Sequence, residues 1–249
     1  MVHFTSSLRG VRHCLLVIFS FMNFPALAQT NLSLPPQVDL QLILAIDCSY
    51  SVDQYEYIQQ MQGIAYALNS KEIREAVQLG HHQKIALTLI QWSSSSNQDV
   101  VLPWTLIGPP GSFEAVAAEI ARLPRSVPIG STSLSAVIAQ SIHIFNRSPF
   151  HSSRRTLDIS GDGRNNDGIP VHYLRDVAVK NNITINGLAI VNDIPTLDSY
   201  FRSQVTGGFN SFVIKANSYD DYRQAIVQKL VREIGNLPVA GGPALPARP

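Results

Sequence analysis

Apolar positions along the chain follow two rhythms, and their alternation predicts the fold. The run Leu40-Gln41-Leu42-Ile43-Leu44-Ala45-Ile46 is nearly continuous and too short for a typical helix, so it reads as a strand buried on both faces of a parallel sheet. Residues 53–69 then show helical spacing through Tyr57, Ile58, Met61, Ile64, Ala65 and Leu68. Ser51-Val52-Asp53-Gln54 fits a capping box at its start. A second strand is expected over 84–92 and a third over 99–107, at a sheet edge because Pro103 cannot donate to a ladder. Helices follow over 113–123 and 131–146. Residues 156–160 form a fourth strand that stops at Gly161-Asp162-Gly163, and Pro170 opens a helix to residue 180. A fifth strand (183–191), a short helix (196–204), a last strand (209–214) and a last helix (218–234) complete the pattern. Strand and helix alternate almost throughout, which implies a doubly wound α/β fold with a mainly parallel six-stranded sheet and helices on both faces.

Both ends read differently from this pattern. Arg9, Arg12 and His13 precede an apolar stretch from Cys14 to Phe24 and the small-residue sequence Ala26-Leu27-Ala28, the layout of a secretory signal peptide over 1–28. Residues 29–37 are a leader, 38–235 the domain, and 236–249 a Pro/Gly/Ala tail without a core-forming pattern. Export predicts a periplasmic or secreted protein, with no stable membrane insertion after cleavage. Cleavage would leave 221 of the 249 residues and move the formal net charge from +1 to −1. Such a near-neutral chain offers no electrostatic case for nucleic acid or an anionic membrane. It would also leave Cys48 as the single cysteine, which rules out an internal disulfide and a cysteine-cluster zinc site.

Candidate chemistry gathers at the end of the first strand. In Asp47-Cys48-Ser49-Tyr50-Ser51 a carboxylate and two hydroxyls occupy alternate residues, which point the same way in extended chain. Oxygen donors without Cys or His suit a hard cation such as Mg2+, Mn2+ or Ca2+. Cys48, between them, should face away into the core. In an open α/β sheet ligands bind beyond the carboxyl ends of the strands where strand order reverses, a crevice that the first strand borders. The adjacent His81 and His82 diverge and read as a solvated loop. Asp158 to Gly163 superficially matches a Ca2+ loop, but Ile169 stands where such a loop needs Glu.

Asp-x-Ser-x-Ser after a buried first strand resembles the metal-ion-dependent adhesion site of von Willebrand factor type A domains. Two further motifs of that family occur in the expected order. Gly130-Ser131-Thr132-Ser133 matches its threonine loop and Asp162-Gly163 its Asp-Gly after the fourth strand. The family usually runs an apolar strand into Thr-Asp-Gly, whereas this chain has Asp158 inside the strand and Ser160-Gly161-Asp162-Gly163 at its end. That variant, with the secretory start, is similar to an exported bacterial family of uncharacterised von Willebrand A-like proteins. The resemblance implies a divalent cation, Mg2+ or else Mn2+ or Ca2+, held by Asp47, Ser49, Ser51, Thr132 and Asp162. It implies as partner a protein presenting Asp or Glu to that cation, hence a binding module rather than an enzyme. Two alternatives remain open here. Strand-end carboxylates would equally serve a metal-assisted phosphoesterase or other hydrolase, and a purely structural domain would bind no metal. Against an enzyme stand the lack of a Gly-x-Ser-x-Gly elbow, of a phosphate loop and of a dinucleotide fingerprint.

Overall fold

A computed structural model describes residues 1–3 and 34–235, so the expected signal peptide, most of the leader and the tail lie outside the described residues. The chain divides into two units, 1–34 and 35–249, and the architecture below is that of the second. Six strands form one sheet in the order β3-β2-β1-β4-β5-β6. They are β1 (Gln41–Asp47), β2 (Ile85–Trp92), β3 (Gln98–Ile107), β4 (Arg155–Gly161), β5 (Ile183–Ile190) and β6 (Val213–Ala216). All neighbours pair in parallel except β2 and β3, and β3 is an edge strand, as Pro103 requires.

Every residue of β1 and β2 is buried because helices cover both faces. One core layer takes Leu42, Leu44 and Ile46 of β1. It packs them with α1 (Gln54–Asn69), α2 (Lys71–Gln78), α3 (Ser112–Ile120) and α7 (Tyr222–Ile234). The other layer takes Ile43 and Ala45 with α4 (Leu134–Asn146), α5 (Val171–Lys180), α6 (Leu197–Tyr200) and the π-helical turn Phe201–Val205 that follows it. The period-2 alternation of the strand thus sorts its side chains between two helix layers. Among the described residues no helix is long and apolar enough to cross a membrane.

Three elements depart from the sequence pattern. Helix α2 was not expected: half of its eight residues are charged, and only Ile73, Ala76 and Val77 face inward. It forms because Ser70, which ends α1, accepts from the Ile73 N–H (3.3 Å) and starts a new helix at once. The expected capping box at Ser51 is also absent. Asp53 caps α1 instead, accepting from Glu56 N while Glu56 Oε2 accepts from Asp53 N, both at 2.8 Å. Finally, β6 begins at Val213 rather than 209. Asn210 takes a left-handed φ of 57° and Ser211 N–H closes back on Gly208 O, so the aromatic start of the expected strand is a turn.

Strand β1 leads through α1 and α2 to β2 on one side, while β4 pairs on its other side. Strand order therefore reverses between β1 and β4. Asp47 ends β1 in register with Trp92, Gly161 ends β4, and the crevice between them is where such a sheet binds ligands.

Candidate metal centre

Five residues expected from the sequence to carry oxygen ligands come from three loops, and hydrogen bonds tie those loops together. In the first, Asp47 folds back so that its Oδ1 accepts from Ser49 N–H at 2.7 Å. The Ser49 and Ser51 hydroxyls lie 3.3 Å apart, and Ser51 Oγ donates to Asp162 Oδ1 at 2.6 Å. This joins the tip of β1 to the tip of β4. The second loop meets the first where Tyr50 N–H donates to Gly130 O (2.8 Å). It meets the third where Thr132 N–H donates to Asn166 Oδ1 (2.8 Å) and Asn166 N–H to Thr132 O (2.9 Å). Thr132 precedes α4 and does not cap it: Ser133 holds the cap position, with no side-chain cap bond. A methyl group on Gly163 would come within 3.2 Å of Thr132 Oγ1, so that hydroxyl packs against the residue after Asp162.

Burial makes the cluster electrostatically demanding. Asp47, Ser49, Thr132 and Asp162 are buried, while Ser51 reaches solvent. Asp47 Oδ2 is enclosed and has no hydrogen-bond partner among the described residues. Burial first, and then the charge of Asp162, push the Asp47 carboxyl up to about 7, against the Ser49 N–H and Arg125. Asp162 is also raised, chiefly by burial, although hydrogen bonds from Ser51 and Tyr219 oppose the shift. Two buried acids thus face each other with one oxygen unsatisfied, an arrangement that a cation would relieve.

The donor chemistry fits a hard divalent ion: Asp47, Ser49, Ser51, Thr132 and Asp162 offer only oxygen. Glycine keeps the space open. A Cβ on Gly161 would stand 2.9 Å from Asp47 Oδ2, closer than real contacts allow. Among the described residues no group of three or more His, Cys, Asp or Glu could hold a metal, so the hydroxyls are essential to this reading. Cys48 points into the core between β1 and α1, where burial pushes its thiol up to about 12. His81 and His82 are exposed in a loop, as expected, but they do not diverge: their rings meet edge to face with centroids 4.8 Å apart.

Other supporting residues escaped the sequence reading. Tyr219, in the 3₁₀ turn Tyr219–Asp221 before α7, donates its hydroxyl to Asp162 Oδ2 at 3.1 Å. It lies 57 residues beyond its partner, and no local spacing marks it. Arg125 holds the first loop from beneath, donating to Val52 O (2.8 Å), Ser49 O (3.1 Å) and Cys48 O. An arginine amid Pro124 and Pro128 could have drawn notice as a loop clamp. Asp158, the residue that broke the expected apolar strand, points away from the crevice. It pairs with Lys229 Nζ of α7 at 2.6 Å, both wholly buried.

Residues 37–238 match the model of a family described as "Protein of unknown function (DUF1194)". No curated protein matches the chain. Solved structures similar to it include a von Willebrand factor type A protein from Catenulispora acidiphila, with 15% identity and a TM-score of 0.57 over 80% of this chain and 43% of that one. Another is proximal thread matrix protein 1 from the mussel byssus, in a structure with a zinc-occupied MIDAS motif (11% identity, TM-score 0.51, 78% of this chain and 45% of that one). A third is the pilus adhesin SpaC from Lactobacillus rhamnosus GG (13% identity, TM-score 0.57, 79% of this chain and 30% of that one). The chain therefore spans less than half the length of these proteins, and the likeness is one of fold.

Proposed function

The chain belongs to the DUF1194 family and has the von Willebrand factor type A fold, and on that premise we propose that it is an exported, metal-dependent protein-binding module. Asp47, Ser49, Ser51, Thr132 and Asp162 hold one divalent cation, Mg2+ or else Mn2+ or Ca2+. A partner protein supplies an Asp or Glu side chain to the same centre. The observation that carries this reading is Asp47 Oδ2, an enclosed carboxylate oxygen with no protein partner among the described residues, set in a cluster of oxygen donors from three loops. The adhesin and the zinc-holding matrix protein of the same fold support it as relatives, at the level of architecture.

The chain's own residues have distinct tasks. Asp47 and Asp162 supply negative charge, and burial keeps water from screening it. Ser51 and Tyr219 orient Asp162 by donating one hydrogen bond to each of its oxygens. Ser49 N–H holds Asp47 Oδ1, which leaves Oδ2, beside Gly161, without a protein partner among the described residues. Arg125 fixes the carbonyls of the first loop, so the ligand set is ordered before any ion arrives. A bound divalent ion would neutralise the two acids and offer a positive centre to a partner's carboxylate. The partner would therefore be released by a chelator.

Calorimetric titration with Mn2+ and Mg2+ on wild type and Asp47→Ala tests the proposal. Heat of binding in wild type and none in the variant is expected. Equal heats in both, or none in either, would overturn it, the second outcome leaving a structural domain.

A further inference from the structure

At the other end of the sheet lies a cavity of about 410 Å³ between the starts of β4 and β5 and the end of α7. Its wall includes Arg154, Arg155, Asn186, Phe212, Arg232 and Glu233. β4 separates it from the candidate metal centre by seven residues, roughly 20 Å of extended chain. Nothing in the proposed cation chemistry uses it.

The wall is rich in donors that lack acceptors. Arg232 lies over the Phe212 ring, its guanidinium carbon 3.9 Å from the ring centre. Its Nε and Nη2 are enclosed and have no partner among the described residues. Glu233 Oε1 accepts from Lys229 Nζ (2.7 Å) and Asn186 Nδ2 (2.9 Å), whereas its Oε2 has no partner. Burial first, then the charge of Asp158, push the Glu233 carboxyl up to about 8. That shift favours the neutral carboxyl, which does not repel an anion. Arg154 is already committed to the carbonyls of Glu233 and Ile234. Arg155 donates its Nε to Gln41 Oε1 at 3.2 Å and lines the same space. Arg232 thus stands in the cavity wall with two N–H groups that lack an acceptor, and leaving such groups unmade is costly.

We propose that this cavity binds a small organic oxyanion, its carboxylate or phosphoryl head taken by the Arg232 guanidinium. A planar guanidinium fits two oxygens of one head side by side. The volume falls in the range of small-molecule sites and exceeds what a bare ion fills, so the head carries an organic body. The exposed ring of Phe209 at the rim offers that body an apolar contact.

Titration calorimetry on the full chain with acetate, inorganic phosphate and phenyl phosphate tests this. Wild type should bind at least one head, and phenyl phosphate more tightly than inorganic phosphate if the head is phosphoryl. Phosphate without acetate assigns a phosphoryl head; acetate without phosphate assigns a carboxylate. Arg232→Gln should weaken the binding by at least about tenfold, the loss expected for a charge-assisted hydrogen bond, with its melting temperature unchanged. Should that variant fail to fold, Arg232→Lys takes its place, which keeps the charge and loses the paired donors. No binding of any of the three by wild type, or undiminished binding by the folded variant, would overturn the proposal.

Discussion

Ser51 Oγ donates to Asp162 Oδ1 across 2.6 Å, joining residues 111 apart in sequence and closing the crevice between β1 and β4. The bond aims one carboxylate oxygen, and the Tyr219 hydroxyl aims the other. Ser51→Ala removes both a proposed ligand and an orienting donor. Mn2+ affinity should fall at least about tenfold, as for a lost charge-assisted hydrogen bond. Stability in chelator should change by only about 1 kcal/mol, because Ser51 is solvent-exposed. Calorimetry and urea melts measure the two effects separately. A large stability loss with unchanged affinity would assign Ser51 to the fold alone.

Asp47 makes the opposite trade. Its carboxyl is raised to about 7 by burial and by Asp162, so the ionised form strains the cation-free domain. Asp47→Asn keeps an acceptor for Ser49 N–H and removes the charge. In EDTA at pH 8 the variant should be more stable than wild type by about 1–4 kcal/mol, while Mn2+ no longer stabilises it. Wild type should gain stability as Mn2+ is added. Denaturant melts with and without Mn2+ check both statements, and a variant less stable than wild type in EDTA contradicts the first.

Much of this was legible in the sequence because the underlying signals are local. The continuous apolar run before Asp47 marks a central strand, and alternate Asp and Ser residues mark a shared direction at its tip. The strand–helix alternation follows from the same reading. The missing parts are non-local or unusually polar. Helix α2 carries only three inward apolar residues, and its start depends on a serine shared with α1. Tyr219 reaches Asp162 only once the sheet brings α7 beside β4. Asp158 looked like a flaw in an apolar strand, since its partner Lys229 lies 71 positions further on in the sequence. The reading of Ser51 as a helix cap chose the wrong residue of two close candidates, Asp53 having the matching Glu56 three residues on.

Gly161 tests whether open space at the strand tip matters. An added Cβ would sit 2.9 Å from Asp47 Oδ2, so the carboxylate must move or the strand must shift. Gly161→Ala should cost about 1–3 kcal/mol of stability, as overpacking does, and should abolish Mn2+ binding by displacing the oxygen that carries the proposed site. Thermal melts and calorimetry give the two readouts. Full Mn2+ affinity in the variant would show that Asp47 Oδ2 is not a ligand.

The buried cluster behind β4 gives a pH-dependent signature independent of any cation. Glu233 faces Asp158 from β4, Asn186 from β5 and Lys229 on its own helix, with the Tyr222 hydroxyl nearby on Ser160. Its carboxyl stands at about 8 in the folded protein, against roughly 4.3 for an unfolded glutamate. Between those values the folded chain keeps a proton that the unfolded chain has lost. Stability from this group is therefore complete below about pH 4 and is lost progressively as pH rises to about 8. Glu233→Gln removes the titration while keeping an acceptor for Lys229, so in EDTA its stability relative to wild type should rise between pH 5 and 8 by about 2–4 kcal/mol. The Asp47 titration is common to both proteins and cancels in that difference. Lys229→Met, by contrast, strands the buried Asp158 carboxylate without its cation and should cost about 3–5 kcal/mol. Urea melts across the pH range decide: parallel wild-type and Glu233→Gln curves would mean that Glu233 is ionised throughout and that Lys229 balances it fully.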